Sequence, residues 1–498
     1  MKQVITGEIK TGRTLVSFPK WWVYIMLAII FFFGLVGRFY DLDDPPLDFH
    51  GTRQLHSMLM ARDIYRASLT GEPAGSGDGQ IEPPIMERLT ALGYRLFESE
   101  DLRIPRVLAI SFWSLGAVGL FLLLKEVVGE QGAVFGLAYY MVLPYALYAS
   151  RSFQPESLMT AAIIWAWWGM LKWHRHKTWK WAIIAGLLAG FAIYVKSPAV
   201  FFIAPAWLGL ILGSMGLGKA LKNRQVWLLA FLSILPFAVY HIYGVFIAGF
   251  LSNQFGLRFY PELIKDPFHY LIWKDMIDRT LVLELFLIAL LGVLAIKKKT
   301  ARVLFIFVWV GYLLYGTVFS YHIISHDYYQ VPFVPAVAVG LAGAGAALIN
   351  ALKGKRGFAY LVITGMLFFW MSINFWDARM HLKHNVYKAE PPFWQMLGKK
   401  LENLSVISMT PDYGMRLTYW GEKGSTHWMS TYDFDVREMA GQAIDREALF
   451  LETVEGKDVF VITEFSQLDN QPNVKQMLYE NFPIMEQTEQ YIIFDLRK

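Results

Sequence analysis

The run Asp41-Leu42-Asp43-Asp44-Pro45-Pro46-Leu47-Asp48-Phe49-His50 places four carboxylates, two prolines and an imidazole directly behind a long apolar segment, Trp21–Tyr40. Group transfer to a hydroxyl usually needs a carboxylate base. Asp48 is the leading candidate, because it sits between Leu47 and Phe49 with His50 and Arg53 close behind. A carboxylate beside an imidazole and a guanidinium could act as a general base near an anionic leaving group, or bind a metal. An Asp just ahead of a helix also fits a helix cap. Asp41, Asp43 and Asp44, taken singly, read as the solvated end of the preceding segment.

Three further stretches carry chemistry-bearing side chains. Ser150-Arg151-Ser152-Phe153-Gln154-Pro155-Glu156 is a tiny loop holding one cation and one acid at the edge of apolar runs. Ionisable groups there are expensive and point to function. A local Arg151–Glu156 ion pair that only anchors two helix ends accounts for them equally well. Lys196, in Tyr194-Val195-Lys196-Ser197-Pro198, is the sole charge of a very short turn. It could hold a phosphate, or it could snorkel at the interface. Tyr321-His322-Ile323-Ile324-Ser325-His326-Asp327-Tyr328-Tyr329 adds two histidines and an aspartate to His50 and His56. Imidazole and carboxylate suit divalent ions, so a metal site could be assembled here, although no spacing matches a metal signature. As single residues they read as an aromatic interfacial belt. The chain has no P-loop, no dinucleotide glycine motif and no serine nucleophile elbow. Energy must then come from an activated substrate or a gradient.

Composition says what positions these groups. Of 498 residues, 55% are hydrophobic and only 17% are charged, and the mean hydropathy is +0.35. Soluble domains carry more charge, so this is a polytopic membrane protein. Aromatics reach 16%, with 18 Trp, which suits interfacial belts. The net charge of +5 is spread over short loops rather than one patch, so no nucleic-acid partner is expected. Without cysteine, disulfides and thiol catalysis are excluded.

Apolar runs predict about eleven transmembrane helices, near 21–40, 105–124, 131–149, 157–173, 179–195, 198–216, 226–247, 280–296, 303–321, 331–351 and 358–376. Lys and Arg gather in alternate loops: Lys125; Lys172, Arg175, Lys177 and Lys180; Lys219, Lys222 and Arg224; Lys297, Lys298, Lys299 and Arg302; Lys353, Lys355 and Arg356. The positive-inside rule puts these loops and the N-terminal segment 1–20 in the cytoplasm. The first apolar run reads as a retained span rather than a signal peptide. The acidic stretch, loop 41–104, loop 248–279 and the tail then face outward. The expected organisation is therefore a cytoplasmic segment 1–20, a transmembrane domain 21–377 and an extracytoplasmic domain 378–498. The expected location is a plasma or inner membrane.

Loop 41–104 predicts a helix from about Thr52 to Leu69 lying in the interface plane, with Leu55, Met58, Leu59, Ala61, Tyr65 and Leu69 on one face. A Gly/Ser/Asp-rich break at Gly71–Gly79 follows. Pro83-Pro84 then opens a second amphipathic piece, Ile85–Phe97. In the tail, β-type runs (Ser405–Met409, Asp458–Thr463, Gln490–Phe494) alternate with helical patterns (Pro392–Leu401, Arg446–Val454, Val474–Tyr479), which reads as a small α/β domain.

In order, Asp48-Phe49-His50…Arg53-Gln54…Ala61-Arg62-Asp63 and Glu82-Pro83-Pro84-Ile85…Leu92-Gly93-Tyr94-Arg95-Leu96-Phe97 resemble family 39 glycosyltransferases of the C-type (GT-C) superfamily, the group of protein O-mannosyltransferases and the lipid A aminoarabinose transferase. Leu102-Arg103-Ile104-Pro105-Arg106, Ser150-Arg151…Pro155-Glu156, Lys196-Ser197-Pro198 and His326-Asp327-Tyr328-Tyr329…Pro332…Pro335 extend the resemblance over roughly residues 20–380. The family's Asp-Glu pair reads Asp48-Phe49 here, and the second acid is Glu156.

The resemblance implies a GT-C fold and a transferase that moves a sugar from a polyprenyl-phosphate donor to a hydroxyl or phosphate of a glycan, lipid or protein acceptor on the outer side, with inversion. Asp48 would then be the base and Glu156 a supporting acid. His50, Arg53, Arg62, Arg151, Lys196, His326 and Tyr328 would bind substrate. No cofactor is required by this reading, and a divalent metal stays open. The competing class is a transporter or flippase of lipid-linked glycans, which would carry charges near the membrane midplane.

Overall fold

The computed structural model describes residues 19–71, 82–251, 260–352, 356–439 and 441–497. The N-terminal segment up to residue 18, nearly all of the Gly71–Gly79 break, and Lys353 and Lys355 lie outside these described residues. Seven helices are long and apolar enough to cross a membrane: Lys20–Phe39, Arg103–Val127, Ser197–Met215, Arg224–Ile247, Lys299–Val318, Asp327–Ala351 and Gly357–His384. Trp179–Val195 and Leu283–Ala295 are shorter apolar helices beside them. The protein is an integral membrane protein.

Local chemistry explains where the helices depart from the apolar runs. The run 131–149 forms two pieces, Glu130–Val142 and Pro144–Ala149, because Pro144 has no amide hydrogen for the ladder and starts a new helix instead. The run 280–296 is broken at Val282, whose φ of 64° is left-handed. The last membrane helix runs on to His384, past the expected boundary at 378.

Close approach of backbones fixes the bundle. A Cβ built on Gly292 would stand 2.0 Å from the carbonyl oxygen of Gly340, so the helices Leu283–Ala295 and Val334–Ala351 meet main chain to main chain, as small residues permit in membranes. Several tryptophans serve the core rather than a belt. Trp22, Trp113, Trp167 and Trp173 are fully buried. The indole N–H of Trp167 donates to the Phe202 carbonyl at 2.9 Å, and that of Trp173 to Gln225 at 2.8 Å.

At one end of the bundle the loops are basic and pair with few acids. Lys172 binds Glu126 at 2.6 Å, and Lys298 donates to the Glu126 carbonyl. The bulk gathers at the other end. There the helices Gly51–Thr70 and Ile85–Phe97 pack on each other, and Gly51–Thr70 also packs on the C-terminal domain.

That domain is a five-stranded sheet in the order β2-β1-β3-β5-β4, with β1 Val406–Met409, β2 Thr426–His427, β3 Val459–Ile462, β4 Ile484–Gln487 and β5 Ile492–Asp495. β1 pairs in parallel with β2 and β3, while β3, β5 and β4 run antiparallel. Alternation along the strands sends Ile407, Phe460 and Phe494 to one core with Trp428 and Phe450. Val406, Val459 and Ile493 go to the other, with Trp394 and Leu397. β1, β3 and β5 coincide with the three expected β-runs. The edge strand β4 is mostly exposed, so it carries little apolar alternation to read.

The domain clamps the segment between the first two long helices with named contacts. Thr52 donates to Asp412 at 2.6 Å, Arg66 reaches Glu422 at 3.1 Å, and the amide of Tyr387 donates to Asp44 at 2.9 Å. The loop after β1 is strained: Asp412, Tyr413 and Gly414 are all left-handed, at φ 53°, 57° and 77°. Non-glycine residues held there cost on the order of 1 kcal/mol or more each. Hydrogen bonds of Asp412 to Thr52 and Arg416, and of Tyr413 to Asp433, offset that cost.

These contacts correct three expectations. The helix Gly51–Thr70 buries Gln54, Leu55, Ser57, Met58 and Ala61 against protein, whereas Leu69 is 63% exposed. Its buried face therefore packs on protein, the helix Ile85–Phe97 foremost. Asp48 does not cap it, since the cap position is His50, left-handed and without a side-chain cap bond. Asp44 is not a solvated acid: it is 3% exposed.

Two outcomes follow. Gly51 has no room for a branched side chain, because a Cβ there meets Leu47 at 2.9 Å and the Asp412 carboxylate at 3.3 Å. Gly51→Val should loosen the clamp by about 1–3 kcal/mol, read as faster amide exchange across 410–421. Burial raises the Asp44 pKa to about 6, partly opposed by the Tyr387 amide, while an unfolded Asp titrates near 4. The folded chain thus holds a proton that the unfolded chain lacks. This stabilisation is complete below about pH 4 and fades as pH rises through about 6. Thermal melts should show greater stability at pH 5 than at pH 7.5, by about 1 kcal/mol. Asp44→Asn should remove most of that difference.

Candidate functional site

Two charged clusters occupy the bulky end of the bundle, and they divide the sequence candidates between them. The first surrounds Asp48. Arg106, at the head of the helix Arg103–Val127, donates from Nη2 to Asp48 Oδ1 at 2.9 Å. Arg151 Nε lies 3.8 Å from the other oxygen. Arg151 also donates to the carbonyls of Tyr40 and Asp41, and burial lowers its pKa to about 10. Gln54 closes the same knot, donating to the carbonyls of Pro46 and Phe49 and accepting from the Phe153 amide at 2.9 Å. The Asp48 side chain is 4% exposed.

Asp48, the expected base, and Arg151, an expected substrate ligand, do not line the cavities at this end of the bundle. Both are sealed into a latch that fixes the segment 45–54 to the loop 150–156. The expected local Arg151–Glu156 pair does not form either.

The second cluster surrounds Lys196. The short turn after the helix Trp179–Val195 delivers its ammonium between two carboxylates, Glu156 in direct contact and Glu82 at 3.3 Å. Glu156 opens the helix Glu156–His176, where an acid is favoured by the helix dipole. Its second oxygen has no hydrogen-bond partner among the described residues. Arg53 reaches Glu82 at 3.3 Å. Arg53 and Lys196 each lie 5.2 Å from the centre of the Tyr328 ring, within cation–π range. His50 Nε2 lies 2.5 Å from Asp327 Oδ1, and its ring meets Tyr328 edge-on at 4.8 Å. His326 stands 6.4 Å from His50. Burial, then His50 and Arg53, lower the His326 pKa to about 4, so its ring is neutral at pH 7.

Two cavities open on this second cluster. One of about 120 Å³ is lined by Arg53, Glu82, Lys196, His322, Tyr328 and Tyr329 together with Ile193, Pro198, Phe237 and Leu251, among others. A second of about 260 Å³ is lined by Thr52, Arg53, His56, Ser57, Glu82, Glu87 and Met415, among others. Glu87 accepts from Ser57 at 2.7 Å, and burial raises its pKa. Asp48 lines neither cavity.

Of the sequence candidates, His50, Arg53, Glu156, Lys196, His326 and Tyr328 are thus gathered in one place. Arg62 is not among them: it binds Glu100 at 2.9 Å and the Tyr419 carbonyl at 2.6 Å, with its guanidinium 3.7 Å over the Tyr419 ring. It is a clamp residue, shared between Glu100 and Tyr419 of the C-terminal domain. Among the described residues, no group of three or more His, Asp or Glu gathers as a metal site.

Sequence reasoning passed over Glu82 and Arg106 as site residues. Glu82 heads the Glu82-Pro83-Pro84 step. Arg106 was the lone cation behind Pro105 at the start of an apolar helix, a signal in its own right.

Comparison with known proteins agrees with this architecture. Residues 81–243 match the family described as dolichyl-phosphate-mannose-protein mannosyltransferase. No curated protein matches the chain. Among solved structures, ArnT from Cupriavidus metallidurans bound to undecaprenyl phosphate is similar at a TM-score of 0.61 and 13% identity, covering 96% of this chain and 98% of that one. AglB, the archaeal oligosaccharyltransferase from Archaeoglobus fulgidus, in complex with an inhibitory peptide and a dolichol-phosphate, gives 0.57 at 12% identity, over 96% of this chain and 74% of that one. The arabinofuranosyltransferase AftD from Mycobacteria gives 0.53 at 13% identity, over 97% of this chain and 40% of that one. The chain is an integral membrane protein that shares the fold of these structures, and its residues 81–243 match the family described as dolichyl-phosphate-mannose-protein mannosyltransferase.

Proposed function

We propose that the protein is a glycosyltransferase that takes a sugar from a polyprenyl-phosphate donor and passes it to an acceptor hydroxyl, with inversion. The observation that carries this reading is the smaller cavity. It sets two cations, Lys196 and Arg53, against apolar side chains from membrane helices, Ile193, Pro198 and Phe237. A lipid phosphate has the same division, an anionic head on an apolar chain. ArnT and AglB, which share the fold, were solved with undecaprenyl phosphate and with a dolichol-phosphate.

In this reading Lys196 and Arg53 bind the phosphate and stabilise it as it leaves. Fixed cations in a site with little water act strongly on developing charge. Glu156 holds the Lys196 ammonium in place, and Tyr328 backs both cations. His50, held by Asp327, and neutral His326 line the approach to the sugar. The latch of Asp48, Arg106 and Arg151 keeps Arg53 and His50 on a rigid support.

The basic loops lie at the opposite end of the bundle from the site. By the positive-inside rule this supports the reading that the site and the C-terminal domain face the outer side of a plasma or inner membrane, with the N-terminus in the cytoplasm. Charge gathered at one end, rather than at the midplane, favours an interfacial enzyme over a transporter of lipid-linked glycans. The acceptor is a glycan, lipid or protein that reaches the outer face.

Removing Lys196 alone would strand the buried Glu156 carboxylate and destabilise the fold. The test is therefore the double substitution Lys196→Gln with Glu156→Gln. Undecaprenyl phosphate should bind this variant about 10–100-fold more weakly, the worth of one charged hydrogen bond, while the melting temperature stays near that of the parent. Unchanged lipid-phosphate affinity would rule out this cavity as the donor site.

A further inference from the structure

The larger cavity differs from the smaller in what it offers a ligand. Its one cation is Arg53, which pairs with Glu82 at 3.3 Å and belongs to the donor site. Thr52 donates its O–H to Asp412 at 2.6 Å, and Ser57 donates its O–H to Glu87 at 2.7 Å. A hydroxyl whose hydrogen is committed in this way has only its oxygen left to offer, as an acceptor. Glu87 is buried, and burial raises its pKa, which makes its carboxyl the more basic acceptor. Burial and then Arg53 hold the His56 pKa down. That ring is therefore neutral at pH 7, with one donor and one acceptor nitrogen.

Such a lining calls for a ligand that donates hydrogen bonds. A phosphate presents mainly acceptors and would set charge against the Glu87 carboxyl. An ammonium would donate, but it would stand against Arg53, whose charge already depresses His56. Neutral hydroxyls meet both constraints. Met60, Pro155 and Met415 add apolar surface to the same cavity, which suits the C–H faces of a sugar ring. Arg53, Glu82 and Pro83 line both cavities, so a ligand held here adjoins the donor site.

Resting on the donor site proposed above, we propose that the larger cavity is the acceptor subsite, that it takes a neutral sugar residue, and that Glu87, backed by Ser57, receives the hydrogen bond of a sugar hydroxyl. The same lining selects against a phosphate as the acceptor. Met415 brings the C-terminal domain into the subsite, so that domain bounds the space open to the acceptor.

The test uses the full-length protein in detergent and saturation-transfer NMR. The probes are a panel of neutral methyl hexosides and methyl pentosides, and the corresponding hexose and pentose phosphates. Affinity for undecaprenyl phosphate is measured in parallel. At least one neutral glycoside should bind, about tenfold or more tightly than its phosphorylated counterpart. Glu87→Gln should weaken that glycoside about tenfold, the difference between a charged and a neutral hydrogen bond. Met415→Trp, which fills the subsite, should abolish its binding. Both variants should hold undecaprenyl phosphate as the parent does, which also reports that they are folded. Each variant decides by itself, so misfolding of one leaves the other to decide.

Sugar phosphates that bind as tightly as the neutral glycosides would overturn this inference, and so would a panel without a binder. Full glycoside affinity in either folded variant would overturn it as well, because the sugar would then sit elsewhere. In all three cases undecaprenyl phosphate binding by the parent leaves the donor site standing. If the parent binds glycosides but no undecaprenyl phosphate, the donor reading falls, and the acceptor role falls with it.

Discussion

An ammonium group buried at a membrane face keeps its charge only if acids come with it. Lys196 is 6% exposed, and Glu156 and Glu82 supply the compensation. Taking one ion out of water costs several kcal/mol even after relaxation. Such a cluster therefore persists only where the surrounding elements hold its members within bonding distance. Three separate chain segments do so here: the loop before residue 85, the head of the helix Glu156–His176, and the turn after Val195. Much of the architecture at this end of the bundle can be understood as the means of keeping those three together.

The support is layered. Nearest the cluster, the Asp48–Arg106–Arg151 knot ties the segment after the first helix to two helix ends. Beyond it, the C-terminal domain holds the helix Gly51–Thr70 through Asp412, Tyr419 and Glu422. The strain in Asp412 and Tyr413 is tolerated because it brings a carboxylate onto the first turn of that helix, where a negative charge is favoured by the helix dipole. That first turn also carries Arg53. A domain outside the membrane thus helps fix a cation inside the site, although it contributes only Met415 to the larger cavity's lining.

The hydrophobic pattern carried the helices well, because a membrane span must satisfy its backbone internally and so announces itself as a long apolar run. It could not show the break at Pro144 as two helices, nor the left-handed turn at Val282, since both are local geometry inside apolar sequence. The strands β1, β3 and β5 were readable because they alternate into two cores. β2, two residues long, and the exposed edge β4 had no pattern to offer.

The sequence by itself determined which residue types stand at the membrane face and in what order: Asp48, His50, Arg53, Glu82, Arg151, Glu156, Lys196, His326 and Tyr328. Charged side chains next to apolar runs are costly, so their positions are visible along the chain. Only the tertiary structure decided who pairs with whom. It assigned Glu156 to Lys196 rather than to nearby Arg151, sealed Asp48 behind two guanidinium groups, gave Arg62 to the C-terminal domain, and set Glu82 on the wall between two cavities. Ion pairing depends on distance in space to a few tenths of an ångström, and the partners come from segments up to hundreds of residues apart. Linear spacing carries no such information.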